Sequence, residues 1–365
     1  MKLKQGVVAI SAAVALWSGA TQAASSYSVT AIGTLGGTSS YAYGINNSGQ
    51  IVGYSSTAGD ATTHAFLYSG GSMTDLGTLG GTFGYAYGIN DSGQIVGSAA
   101  TVGNGAQHAF LHSGGSMTDI GTLGGVYSSA YGINASGQVV GVAQTATDAQ
   151  HAFLYSGGSM TDLGTLGGTA SFAQGINASG QVVGYSGTVG DADQHAFLYS
   201  GGSMTDLGAL GGGSSSAYGI NASGQVVGQA QTVGGAGHAF LYNGSSMTDL
   251  GALGGGYSYA RGINASGQVV GGYSLSGDGG DLAFLYSDGS MTDLTSLVDP
   301  QSGWTITNAE GINDSGQIVA FGCETSTGSC SALLLTPVPE PEAYLMMLVG
   351  LGLVGVMVRR RKTMQ

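Results

Sequence analysis

Five histidines, His64, His108, His151, His195 and His238, each precede Ala-Phe-Leu, and each stands eleven residues before an aspartate, Asp75, Asp119, Asp162, Asp206 or Asp249. With the nearby serines they offer two chemistries, metal ligation and a Ser-His-Asp relay. Both require convergence. Zinc needs its ligands at about 2 Å, whereas equivalent positions on neighbouring packed sheets lie about 10 Å apart. A relay needs one unique constellation, and here the same residues recur as parts of strands and turns. No nucleophile elbow, metal motif or phosphate loop is visible. The reading is therefore local: each His is a tie to the Asp of its own unit, with no catalytic residue and no metal or cofactor ligand. The sixth histidine, His112, stands where other units have Tyr and is incidental. Acidic residues (Asp60, Asp148, Asp191, Asp193, Asp278 and Asp281) gather in variable loops, a place for weak calcium binding at most. Asn-Asp-Ser-Gly at Asn90 and Asn313 lacks the acidic ladder and closing Glu of a calcium loop and reads as a hairpin turn.

These residues sit on a repeat. Gly-Ile-Asn begins at Gly44, Gly88, Gly132, Gly175, Gly219, Gly262 and Gly311, at intervals of 44, 44, 43, 44, 43 and 49 residues. A fixed period in this range signals a solenoid or a propeller. In the first unit, strand a is Tyr41 to Asn46, strand b Gln50 to Ser55, strand c His64 to Tyr68 and strand d Met73 to Gly77. Asn47-Ser48-Gly49 and Ser69-Gly70-Gly71-Ser72 are tight turns, so each unit is an antiparallel meander. Strand c is apolar at consecutive positions, so both faces of each sheet must be covered. Seven four-stranded sheets around an axis satisfy that demand. The seventh unit stops after strand c, at Leu335, and the missing strand d stands at the other end of the chain, where Ser28 to Gly37 aligns with Ser72 to Gly81. The expected fold is an all-β, seven-bladed propeller of four-stranded antiparallel blades, closed by the N-terminal strand, with a signal peptide before it and a hydrophobic helix after it.

On that fold the residues before Gly-Ile-Asn, namely Tyr43, Tyr87, Tyr131, Gln174, Tyr218, Arg261 and Glu310, lie on the innermost strands. Two readings stay open. They form a ligand ring suited to a sugar, or the tyrosines pack between blades and Arg261 pairs with Glu310. Cys323 and Cys330 form a close pair that in an exported protein reads as a disulfide.

The charge is uneven. Of 365 residues only seven are basic, and all but Arg261 lie in the terminal segments. The repeat region holds one basic and 18 acidic residues (20 less Glu340 and Glu342), a balance of −17. Such a surface repels phosphates, so nucleic acid is not a partner.

The ends read as addresses. Lys2 and Lys4, an apolar stretch and small residues to Ala23-Ala24 form a secretory signal peptide, residues 1–23, cut between Ala23 and Ala24. The repeat region is 24–336. Residues 337–365 carry Val338-Pro339-Glu340-Pro341-Glu342, then an uncharged span over 343–358 and then Arg359-Arg360-Arg361-Lys362. Sixteen residues rise about 24 Å as a helix, short of a ~30 Å hydrocarbon core, so the span is a marginal transmembrane anchor.

Pro339-Glu340-Pro341, the apolar span and the Arg cluster resemble the PEP-CTERM sorting signal of Gram-negative bacteria. That resemblance implies an exosortase and the secretion machinery as partners and transient residence in the inner membrane. It also implies release to the cell surface or matrix, among bacteria that make exopolysaccharide. The units Gly-Ile-Asn-x-Ser-Gly-Gln and His-Ala-Phe-Leu-Tyr over 27–336 resemble the extracellular HAF repeat, departing at Leu282, at Ser331 and across the seventh unit. That family implies an exported repeat protein with no activity attached. The expectation is a non-enzymatic surface scaffold linked to exopolysaccharide or biofilm, with a glycan-binding, lectin-like module as the alternative.

Overall fold

Asn47-Ser48-Gly49 reverses the chain because Gly49 takes φ +74°, a conformation open to Gly at no steric cost. Two extended runs then pair across it. β1 (Tyr27–Ala31) opens the computed structural model, which describes residues 26–275 and 281–338. The first meander follows as β2 (Gly36–Ile45), β3 (Ile51–Thr57), β4 (Thr63–Ser69) and β5 (Ser72–Gly77). The signal peptide with Ala23 and Ala24, Asp278, Pro339-Glu340-Pro341 and the apolar span 343–358 lie outside the described residues. Among the described residues there is no α-helix, and no helix is long and apolar enough to cross a membrane.

The same antiparallel meander recurs, and the last one is completed from the front of the chain. Strands Trp304–Ile312, Ile318–Glu324 and Cys330–Pro337 pair in order, and β1 adds to the free edge with Tyr27 opposite Pro337 and Ala31 opposite Leu333. The ends of this region meet where Val338 N donates to Ser26 O at 2.9 Å. Single parallel contacts link some successive meanders, as Thr63 with Phe83 and Gln194 with Ser214.

The innermost strand is longer than its sequence suggests. β2 starts at Gly36, five residues before the expected Tyr41, because Gly36 at φ +95° turns back to pair with Thr57. A register shift between Gly36 and Ser40 absorbs the irregularity. In the last unit strand c runs on to Pro337, past Leu335, because β1 offers it a partner along that length. The longer sixth interval is filled by two 3₁₀ turns, Leu294–Leu297 and Pro300–Ser302. Asp293 caps the first through Thr295 N and Asp299 caps the second through Gln301 N.

The core lies between meanders. Strand c buries Ala65 and Phe66 side by side, one toward each neighbouring sheet. Phe66, Phe110, Phe153, Phe197, Phe240 and Phe284 are fully buried, with Leu333 in the seventh place. Each contributes about 2–3 kcal/mol of apolar burial. Val52 and Ala65 of the first unit pack with Ala86, Ile95 and Phe110 of the second, and the pattern repeats along the chain. One cluster joins the last unit to the first: Ile32, Val319 and Ala332 pack with Ala42, Ile51 and Phe66.

Removing residues 26–31 strips a ladder from the Cys330–Pro337 edge and the buried Tyr27 from its cluster. The expected loss is about 4 kcal/mol, or roughly 10 °C in Tm. Calorimetry checks this; an unchanged Tm contradicts the role given to β1.

Candidate functional site

The innermost strands are joined by one side chain. Asn46 is buried and its amide is fully used: Nδ2 donates to Gln50 Oε1 at 2.8 Å and to Asn90 O of the next unit at 3.1 Å. Its Oδ1 accepts from Ser48 N and Gln50 N. Asn90, Asn134, Asn177, Asn221 and Asn264 each donate to the Asn carbonyl one unit on. Asn313 of the seventh unit donates to Asn46 O at 3.0 Å. The bonds thus return to their starting residue. Such approach leaves no room at the preceding Gly: a Cβ on Gly44 would stand 2.9 Å from Tyr87 O. Reading Asn-x-Ser-Gly as a turn alone misses this bridge. The available signal was that Asn and the Gln four residues on persist in all seven units, while the His persists in five.

Above the Asn tier lies a tier of Gly and Ile, from Gly44 and Ile45 to Gly311 and Ile312. Beyond it opens a cavity of about 350 Å³. The structure places all seven residues singled out by their position before Gly-Ile-Asn on its wall: Tyr43, Tyr87, Tyr131, Gln174, Tyr218, Arg261 and Glu310, joined by Tyr41 and Asn308. The lining has two characters. Tyr41 and Tyr43 have ring centroids 4.8 Å apart, Tyr43 and Tyr87 5.0 Å, and Tyr87 and Tyr131 5.2 Å, a continuous aromatic arc. Burial pushes the hydroxyl pKa values of Tyr41, Tyr43 and Tyr87 well above the usual tyrosine range, so these rings stay neutral.

The sixth and seventh units supply the polar part. Glu310 Oε1 accepts from Tyr41 OH at 2.7 Å and from Asn308 Nδ2. The Arg261 guanidinium lies 4.6 Å from the Tyr218 ring centroid and 5.2 Å from that of Tyr259. Its Nε is 3.7 Å from Glu310 Oε2, an ion pair without a hydrogen bond, and Nε has no hydrogen-bond partner. The Arg261 side chain is 38% exposed and that of Glu310 9%.

The histidines are elsewhere and do not converge. Each Nδ1 bonds the Asp of its own unit at 2.7–2.9 Å, and that Asp accepts from a Gly N two residues on, as Asp75 does from Gly77. In the seventh unit both members change: Ser331 stands in place of His and Ala31, on β1, in place of Asp. Where Leu282 replaces His, Asp293 remains and accepts, as in the other units, from the amide two residues on, Thr295 N. His112 Nδ1 is buried without a partner, and burial holds its pKa below the usual value. Cys323 and Cys330 stand directly opposite on paired strands and form a disulfide.

Four of the loop acids, Asp60, Asp148, Asp191 and Asp281, have local partners. Asp60 Oδ1 accepts from Thr38 N and Oγ1, which holds its carboxyl below the usual range. Asp191 accepts from Thr169 N, and in the second unit Asn104 takes the same place with Thr82. A position served equally by a neutral amide is a loop clip. Asp148 accepts from Gln144, and Asp281 from Ser274. Among the described residues no group of three or more His, Cys, Asp or Glu could hold a metal ion.

Residues 337–362 match the PEP-CTERM protein-sorting motif. The motif implies export and recognition by an exosortase. A comparison with curated proteins finds no match. Among solved structures, the chain is similar to the β-propeller domain of the Trilobed protease from Pyrococcus furiosus, described as having an open velcro topology. The two share 11% identity at TM-score 0.53, over 82% of this chain and 98% of that one. It is also similar to a puromycin-hydrolyzing peptidase of Mycobacterium tuberculosis, at 10% identity and TM-score 0.54 over 80% of this chain, spanning about half (52%) of the peptidase. At these identities the likeness concerns the fold alone, which is all-β and propeller-like.

Replacing Asn177 with Ala removes the donor to Asn221 O and unpairs the amides of Ser179 and Gln181. The expected cost is about 2–4 kcal/mol, read by denaturant unfolding. A cost under ~1 kcal/mol contradicts the bridging role.

Proposed function

We propose that this chain is an exported, non-enzymatic surface protein whose repeat region is a closed seven-bladed β-propeller acting as an interaction scaffold. The observation that carries the reading is the sorting motif at residues 337–362, directly after a repeat region whose reactive side chains are engaged in local ties. Closure is supported by the β1 pairing, by the Asn313-to-Asn46 bond and by the apolar cluster shared between the last and first units. The non-enzymatic reading is supported by the five-fold repetition of one His–Asp tie, since catalysis needs one unique constellation.

In this account the signal peptide 1–23 directs secretion, the span 343–358 holds the chain in the inner membrane, and an exosortase then acts near Pro341. The propeller is released to the surface or the matrix, where it meets exopolysaccharide. Seven sheets covered on both faces need no partner for their cores, so loops and axis are free for contact. An acidic region with a balance of −17 stays soluble and avoids polyanions.

The intact mass of the exported protein tests processing. It should end near Pro341; a mass that retains Arg359 to Lys362 contradicts sorting and favours a permanent anchor. A panel of ester, peptide and glycoside substrates should show no turnover with that material, and turnover abolished by a single substitution would overturn the scaffold reading.

A further inference from the structure

We infer that the cavity bounded by Tyr43, Tyr87, Tyr131, Gln174, Arg261 and Glu310 is a binding site for one pyranose unit of a neutral glycan. The inference rests on the propeller reading, since it takes one wall residue from each of seven blades around the axis.

The repeat itself points to the place. Wherever the scaffold dictates a residue, the seven units agree, as at Gly44, Ile45 and Asn46 and their counterparts. At the position before Gly-Ile-Asn, four units carry Tyr, and the others carry Gln174, Arg261 and Glu310. A purely structural wall would be served by the same residue throughout. The departures also leave a deficit: Arg261 Nε has no hydrogen-bond partner, and an unpaired buried donor is destabilising. Arg261 is the only basic residue of the repeat region, and it stands in this cavity rather than on the acidic outer surface. Sites whose local chemistry departs from what folding requires are where function is expected.

Size and chemistry narrow the ligand. About 350 Å³ is at the small end of small-molecule sites, which run roughly 300–1,000 Å³, so the cavity accepts one ring rather than a chain. The rings of Tyr43, Tyr87 and Tyr131 follow one another on consecutive units, with centroids 5.0 and 5.2 Å apart. Arg261 and Glu310, on the sixth and seventh units, provide a donor and an acceptor side by side. A pyranose has these two characters: a face of C–H groups that packs on aromatic rings, and an edge of vicinal hydroxyls that donate to a carboxylate and accept from a guanidinium. Gln174 adds a further amide on the fourth unit. Charge selects neutral sugars. Arg261 is offset by Glu310 within the cavity, and the −17 balance around it repels uronates and sulfated chains.

The test uses the exported protein and the methyl glycosides of glucose, galactose, mannose and N-acetylglucosamine, with methyl glucuronide as the charged comparison, read by titration calorimetry. At least one neutral glycoside should bind, and the glucuronide should bind at least tenfold more weakly. Arg261→Met should weaken the neutral ligand at least tenfold with Tm within about 3 °C of the parent. If that variant does not fold, Gln174→Ala, which leaves the Arg261–Glu310 pair intact, should weaken binding at least threefold at unchanged Tm. No neutral glycoside bound at 20 mM, tighter binding of the glucuronide, or undiminished binding by the folded variant overturns the inference. None of those results alters the melting of the parent or of its β1 deletion, where failure of the propeller reading would appear.

Discussion

One side-chain amide per unit governs this protein. An Asn on each innermost strand closes its own turn with its oxygen and uses its nitrogen to reach both its own Gln and the main chain of the next unit. Buried amides are costly unless every donor and acceptor is met, and here all are met by residues of the same short motif. The bond to the next unit fixes how closely successive strands approach, and that approach excludes any side chain at the preceding Gly. Sheets held at this spacing bury Ala and Phe of strand c against different neighbours. Seven such bonds lead from Asn46 back to Asn46, and on the proposed propeller reading every sheet then has a neighbour on each side.

Repetition also determines where chemistry can reside. A His–Asp pair made five times over is a device for holding strands c and d together; in the seventh unit both members are replaced, and in the sixth Asp293 keeps only its bond to the main chain two residues on. A unique site must be built where the repeat is broken. The cavity above the Gly–Ile tier is such a place: its wall keeps the backbone of the repeat and changes its side chains, so a rigid scaffold carries a non-repeating lining.

Much of this was legible in the sequence because the constraints are periodic. The interval between Gly-Ile-Asn triplets gave the unit, consecutive apolar residues in strand c required sheets covered on both faces, and Ser28 to Gly37 marked the strand displaced to the front of the chain. The residues before each triplet could be placed on one wall from period alone. What stayed hidden depends on three-dimensional reach. The extension of strand a to Gly36 follows from a left-handed Gly and a register shift, which no alternation pattern signals. The bridge made by Asn46 crosses 44 residues of sequence, and a turn motif explains the same Asn without it. That Asp60 and Asp191 clip their loops to Thr38 and Thr169, as Asn104 does to Thr82, is not visible in the acidic composition of those loops. Of the two readings of that wall, one pairs Arg261 with Glu310; they do form an ion pair, at 3.7 Å without a hydrogen bond, with the guanidinium over Tyr218 and Tyr259.

The closed ring is the central claim, and circular permutation tests it most directly. Ser26 and Val338 are hydrogen-bonded neighbours, so a short Gly-Ser linker between them should add no strain. New termini can open in the exposed loop between Gly234 and Gly235 of the fifth unit. The account predicts that this permutant, followed by circular dichroism during heating, gives a β spectrum and one cooperative transition within about 5 °C of the parent. In an open stack of seven sheets at ~10 Å each the joined ends would lie tens of ångströms apart. A permutant that fails to fold, while the same linker inserted at Gly234 of the unpermuted chain is tolerated, would contradict the ring.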